Sequence, residues 1–155
     1  SSYSMSSSEA MMKYFFVQMI SSMLILFSIL LTLLKSEFFQ ISNLWIMTIM
    51  NSALFMKMGM APFHFWFIEL IEALSWMMSL ILLTWQKIAP MIILLYNKMN
   101  LTFMYSIIII SMLISGIMSW NQVSMKKILA YSSINHMSWM MSIILMNQFM
   151  WMIYF

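Results

Sequence analysis

The sequence contains no cysteine, and its glycines and prolines number two each. Without cysteine, this chain can form no disulfide, thiolate metal site or iron–sulfur ligation. Charge is scarce as well: 7% of residues are charged, against about 25% in a soluble domain. So few charges cannot cover a globule with solvated surface. The positive charge is all lysine, seven residues with no arginine, and the net +3 is too small and too scattered to suggest nucleic acid as a partner. No signal or transit peptide pattern is visible. The chain opens on Ser1 rather than Met, and its last apolar run stops abruptly at Phe155, which reads as a fragment of a longer protein.

What is present is apolar. Hydrophobic residues make up 64% of the chain, and 24 of them are methionine. A bilayer core takes roughly 20 apolar residues per helix, so the length allows about five or six spans and no separate soluble domain. The expected class is all-α, a polytopic transmembrane bundle over residues 1–155, because open strands cannot cross lipid and nothing alternates with the period of a barrel. Abundant methionine beside few residues with GC-rich codons points to an AT-rich gene read with an extra methionine codon, as in animal mitochondria.

Residues 1–8 read as a polar, serine-rich lead, with Ser8 placed to cap a first span from Glu9 to Leu34. LKSEFFQ (34–40) reads as a short charged turn. Residues 41–67 form a second apolar run, broken near KMGMAPFH, where glycine permits unwinding and proline withholds a backbone donor. IELIEA (68–73) reads as a polar turn carrying Glu69 and Glu72. Further spans are expected over 74–96, 101–120 and, after Ser124 as a cap, to about Met146, with a truncated sixth beyond. If the spans alternate, Lys13, Lys126 and Lys127 share one side with Glu69 and Glu72, and Lys35 and Lys98 lie on the other.

One stretch conflicts with its surroundings. LILLTWQKIAPMIILLY (80–96) places Lys87 well inside a span, about 14 Å from the nearer end at about 1.5 Å per residue. That is further than a lysine side chain reaches to water. An ionised lysine at bilayer depth costs about 2.5 to 3.5 kcal/mol on insertion scales, so the group needs partners, water or neutrality. Ready gain and loss of a proton is the working property of a relay. Lys57 repeats the pattern one span earlier. Glu72 is the midpoint between positions 57 and 87, so in an antiparallel pair both lysines fall at similar depth, where mutual repulsion couples their protonation. Blander roles stand beside these: Lys57 as a cation near a helix end, Lys87 in a structural hydrogen bond.

In KKILAYSSINHM, His136 lies near mid-depth with Ser132 one turn before it and Ser133 beside it. These groups suit a relay through water, or equally hydrogen bonding between helices. His64, after Pro62, reads as structural capping. A haem site on His64 and His136 is remote, since neither has a paired histidine.

KMGMAPFHFWF, LSWMMSLILLTWQKIAPMIIL and NQVSMKKILAYSSINHMSWMM, with SSSEAMMKYFFVQ near the start, occur in the order found in one family. The chain resembles the mitochondrial NADH dehydrogenase subunit 2 family, antiporter-like membrane-arm subunits of respiratory complex I, in the insect form. The resemblance runs from about Ser8 to Phe155. It implies a multi-pass inner-membrane subunit that takes part in proton translocation coupled to electron transfer from NADH to ubiquinone. It implies proton transfer by Lys57 and Lys87, with His136, Ser132 and Ser133 in a later polar stretch. Partners would be other membrane-arm subunits and the bilayer. No cofactor, metal or NADH would bind this chain; NADH, FMN, iron–sulfur clusters and ubiquinone belong to other subunits. Three positions depart from the family pattern: Ile68 for proline, Ser138 for glycine and Met78 for asparagine. The glutamate that pairs with the first lysine would lie upstream, and a further lysine downstream. Rival readings are a secondary cation/proton antiporter and a structural membrane subunit without its own proton path.

Overall fold

The computed structural model describes residues 2–37, 43–97 and 100–154. Among these, every regular element is a helix: α1 (Ser2–Glu37), α2 (Asn43–Met58), α3 (Phe65–Ala73), α4 (Trp76–Tyr96), α5 (Leu101–Trp120), α6 (Met125–Met146) and α7 (Gln148–Tyr154). An all-α membrane bundle is what the composition demands, since a helix satisfies its own backbone polar groups in lipid.

Three segments are individually long and apolar enough to cross a bilayer: Ser7–Leu34 within α1, and all of α4 and α5. Segment α2 is shorter, because the chain breaks after it. Helix α6 has the length but carries Lys126, Lys127, Asn135, His136 and several serines, and falls outside that set. Among the described residues, then, three helices meet the length and apolarity for a span on their own, within the all-α bundle expected.

The abundant serine and threonine hydroxyls look inward, to their own helices. Ser21, Ser28, Ser79, Ser111, Ser132, Ser138 and others each donate to the carbonyl three residues back, at 2.6–3.0 Å for these six. A hydroxyl satisfied in this way is cheap to place among apolar side chains. Ser111 and Ser115 on α5 and Ser138 on α6 are fully or almost fully buried, and α5 and α6 pack together. Small residues at such faces allow close helix approach. Outward-facing Phe15, Phe16, Leu30, Trp45 and Leu113 leave an apolar exterior suited to lipid.

Two apolar clusters hold the helices. One joins α2, α4, α5, α6 and α7 around Phe55, Met58, Met91, Met104 and Met141. The other joins α1, α3, α4 and α6 around Trp66, Phe67, Ile71, Leu82 and Ile134.

Three expectations need correction. The serine-rich start is no lead: α1 begins at Ser2, and Ser8 lies inside the helix rather than capping it. Segment 68–73 is no turn either, but the body of α3. Phe65, Glu69 and Glu72 form its exposed stripe, while Trp66, Phe67, Ile68, Leu70 and Ile71 are buried. Third, α1 runs on to Glu37, past the start of the expected turn, and residues 38–40 of that turn lie outside the described residues. Ser124 does sit at the N-cap position of α6, without a side-chain capping bond. Lys98 lies outside the described residues, and the side chain of Lys35 is likewise not described.

Candidate functional site

The break expected near Gly59 and Pro62 is present, and its backbone explains it. Gly59 has φ +70°, its N–H donates to the Met56 carbonyl at 3.3 Å, and the Met60 N–H donates to the Phe55 carbonyl at 3.1 Å. These are the two bonds of a Schellman ending, and buried Phe55 and Met60 supply its apolar contact. The Ala61–Pro62 peptide is cis. Helix α3 then starts after His64, whose carbonyl accepts the N–H groups of Phe67 and Ile68 at 3.1 and 3.3 Å. His64 occupies the N-cap position, but its imidazole makes no capping bond, so the expected side-chain capping is not found. Ile68, where the family pattern has proline, thereby uses a backbone donor that proline lacks.

Ending α2 at Met58 puts Lys57 in its last turn, where the terminal carbonyls favour a cation. Lys57 is half-buried and lines a cavity of about 290 Å³ with Tyr14 and Gln18 of α1 and Gln86, Ala89 and Pro90 of α4. Gln18 Nε2 lies 3.5 Å from the Lys57 carbonyl, a long contact. Pro90 lies inside α4 and has no N–H to offer the carbonyl of Gln86 four residues back.

Lys87 is the buried one, 6% exposed. Its Nζ donates to Ser133 Oγ at 3.1 Å and stands 4.7 Å from the centre of the Phe67 ring. Ser133 in turn donates to the Ala130 carbonyl at 2.7 Å. Its proton is therefore committed, and a lone pair faces the ammonium. Among the described residues no carboxylate forms an ion pair with Lys87. A cavity of about 460 Å³ between α4 and α6 brings Lys87 together with Thr84, Ser132, Ser133 and His136. The sequence had singled out four of these five residues, but as two separate features, Lys87 with Lys57 and the serines with His136. Within the chain, Ser132 and His136 are exposed at this cavity, and the His136 ring stacks on Tyr154 with centroids 5.3 Å apart.

The two lysines stand on either side of α4. Gln86 lines the Lys57 cavity and the next residue, Lys87, lines the other; Glu72, the midpoint between the two lysines, lies within α3 rather than in a turn joining two antiparallel spans. Phe67 was not singled out from the sequence. Its position in FHFWF carries no local signal, because only the fold brings it over Lys87.

The loop side carries paired charges. Lys13 Nζ meets Glu69 Oε2 at 2.7 Å and Glu9 Oε1 at 3.3 Å, and Lys127 Nζ meets Glu72 Oε2 at 3.0 Å. Lys126 donates to the Leu74 carbonyl at 2.5 Å. The expected grouping of Lys13, Lys126 and Lys127 with Glu69 and Glu72 is observed.

Fold and site define a helical membrane protein with a buried lysine facing a mostly apolar cavity that carries a few hydroxyl and imidazole groups. The family model described as NADH:quinone oxidoreductase/Mrp antiporter, TM, matches residues 1–155. The chain belongs to this family. It is similar to NADH-ubiquinone oxidoreductase chain 2 of Anopheles gambiae, 44% identical over 149 residues, covering 96% of this chain and 43% of that protein. It is also similar to the proteins of the same name from Rhynchonycteris naso, 45% identical over 153 residues, and from Locusta migratoria, 40% identical over 148. The alignments cover 96% and 95% of this chain and 44% and 43% of those relatives. The chain thus spans less than half the length of these relatives.

Proposed function

We propose that the chain is a single membrane domain of a core subunit of respiratory complex I in the mitochondrial inner membrane. It contributes to proton translocation driven by electron transfer from NADH to ubiquinone. The observation that carries this reading is the buried Lys87 ammonium, held by a hydroxyl lone pair and opening on a cavity shared with Ser132, Ser133 and His136. A lysine held by neutral groups changes its proton occupancy when nearby charge changes, because no fixed counterion locks it as ammonium. Lys57, across α4, supplies such a neighbouring charge. In this reading protonation of either lysine disfavours that of the other, and a charge shift caused by quinone chemistry elsewhere moves a proton from one side of α4 to the other. Ser132 and His136 extend the path along α6. NADH, FMN, iron–sulfur clusters and ubiquinone act on other subunits, and the neighbouring membrane-arm subunits are the partners.

Lys87→Met in the assembled complex tests this in sealed inner-membrane vesicles. The expected result is loss of most NADH-driven proton uptake at normal complex content. Intact pumping would leave Lys87 a structural role only. A secondary cation/proton antiporter is the second reading, supported by the Mrp antiporters in the family description. Sodium-dependent proton movement without NADH, in liposomes holding the protein, would favour it.

A further inference from the structure

Three features converge on one side chain of α3. Phe67 is 1% exposed, and its ring lies 4.7 Å from Lys87 Nζ. Its other neighbour is the helix break: a methyl group built on Gly59 would meet Phe67 Cβ at 2.9 Å and Cγ at 3.0 Å. Helix α3 itself packs against α1 and α6, with the ion pairs Lys13–Glu69 and Lys127–Glu72 at its exposed face.

We infer that Phe67, packed beside the break at Gly59, is a positioning residue for Lys87, its ring holding the ammonium opposite Ser133. This rests on the proton-transfer reading of Lys87 given above. The ring's negative face attracts a cation within about 6 Å, and most strongly where water is excluded. Ser133 supplies a lone pair from α6 and Phe67 a π cloud from α3, so the ammonium sits between two neutral acceptors. The absence of a side chain at Gly59 is what leaves room for the ring beside the break, since an added methyl would meet Phe67 Cβ at 2.9 Å.

The test compares Phe67→Leu, which keeps much of the volume and loses the ring, with Phe67→Tyr, which keeps it, beside Lys87→Met. Proton uptake per NADH oxidised is measured in vesicles of matched complex content. Phe67→Leu is expected to lower the ratio by at least about threefold and Phe67→Tyr to preserve it. Equal ratios in the two variants, whether both normal or both reduced, would overturn the aromatic role while leaving that of Lys87 intact. Normal pumping in Lys87→Met would instead overturn the underlying proton-transfer reading. A map of the wild-type complex at side-chain resolution decides the matter even where Phe67→Leu does not assemble. The Lys87 ammonium over the ring face within about 6 Å supports the inference, and an ammonium turned away from the ring overturns it.

Discussion

Lys87 shows how much a single misplaced charge reveals. Its depth within an apolar run was readable from residue spacing alone, because 1.5 Å per residue fixes distance along a helix. Its partners were only partly readable. Ser133 was among the candidates, but the direction of its hydrogen bonds emerges only when Ala130 takes its proton and Lys87 its lone pair. Ser132, one position earlier, donates to the Leu129 carbonyl and makes no such contact. The two serines should therefore behave differently. Ser133→Ala removes the hydroxyl that receives the ammonium and should cost about 1.5–3 kcal/mol, the range for a hydrogen bond to a charged group. The cost would be read as a lower melting temperature together with reduced proton uptake. Ser132→Ala should leave melting nearly unchanged, since its bond lies within one helix.

At the level of the element, the break after α2 was legible and the helix following it was not. Glycine and proline three residues apart announce an interruption wherever they fall. The helix α3 was hidden because Glu69 and Glu72 look like a polar turn in a chain so poor in charge. They stand three residues apart, on one face of a helix whose other side is wholly buried. The serine-rich start misled in the same way, since in lipid a serine can donate to its own helix as readily as it can break one. Gly59 carries the sharpest consequence. With φ +70° and Phe67 Cβ at 2.9 Å from any added methyl, Gly59→Ala meets both backbone strain and a clash. It should destabilise the assembled protein by at least about 1–2 kcal/mol, the left-handed penalty alone, seen as a lower melting temperature in detergent. Gly116, with open space around it, should tolerate the same change.

Across the whole molecule, charge is sorted into two environments. Lys13, Lys126 and Lys127 meet Glu69, Glu72 and the carbonyl of Leu74 at one end of the bundle, in partly exposed pairs. Pairs of this kind contribute little and weaken with salt. Glu72→Gln should therefore leave assembly and NADH oxidation unchanged. Lys87 is the opposite case, a cation removed from water and matched to neutral groups. Composition foretold the first environment, since scarce charges gather at membrane ends. It could not foretell that α4 divides two lysine-lined cavities, which depends on how α1, α2 and α6 pack around it.

The most direct measurement is proton uptake per NADH oxidised in Lys87→Arg, at matched complex content. Arginine keeps the positive charge but does not release its proton. If Lys87 works by exchanging a proton, pumping should fall as far as in Lys87→Met. Pumping at the wild-type ratio would show that fixed charge suffices there, and would contradict proton exchange at this site.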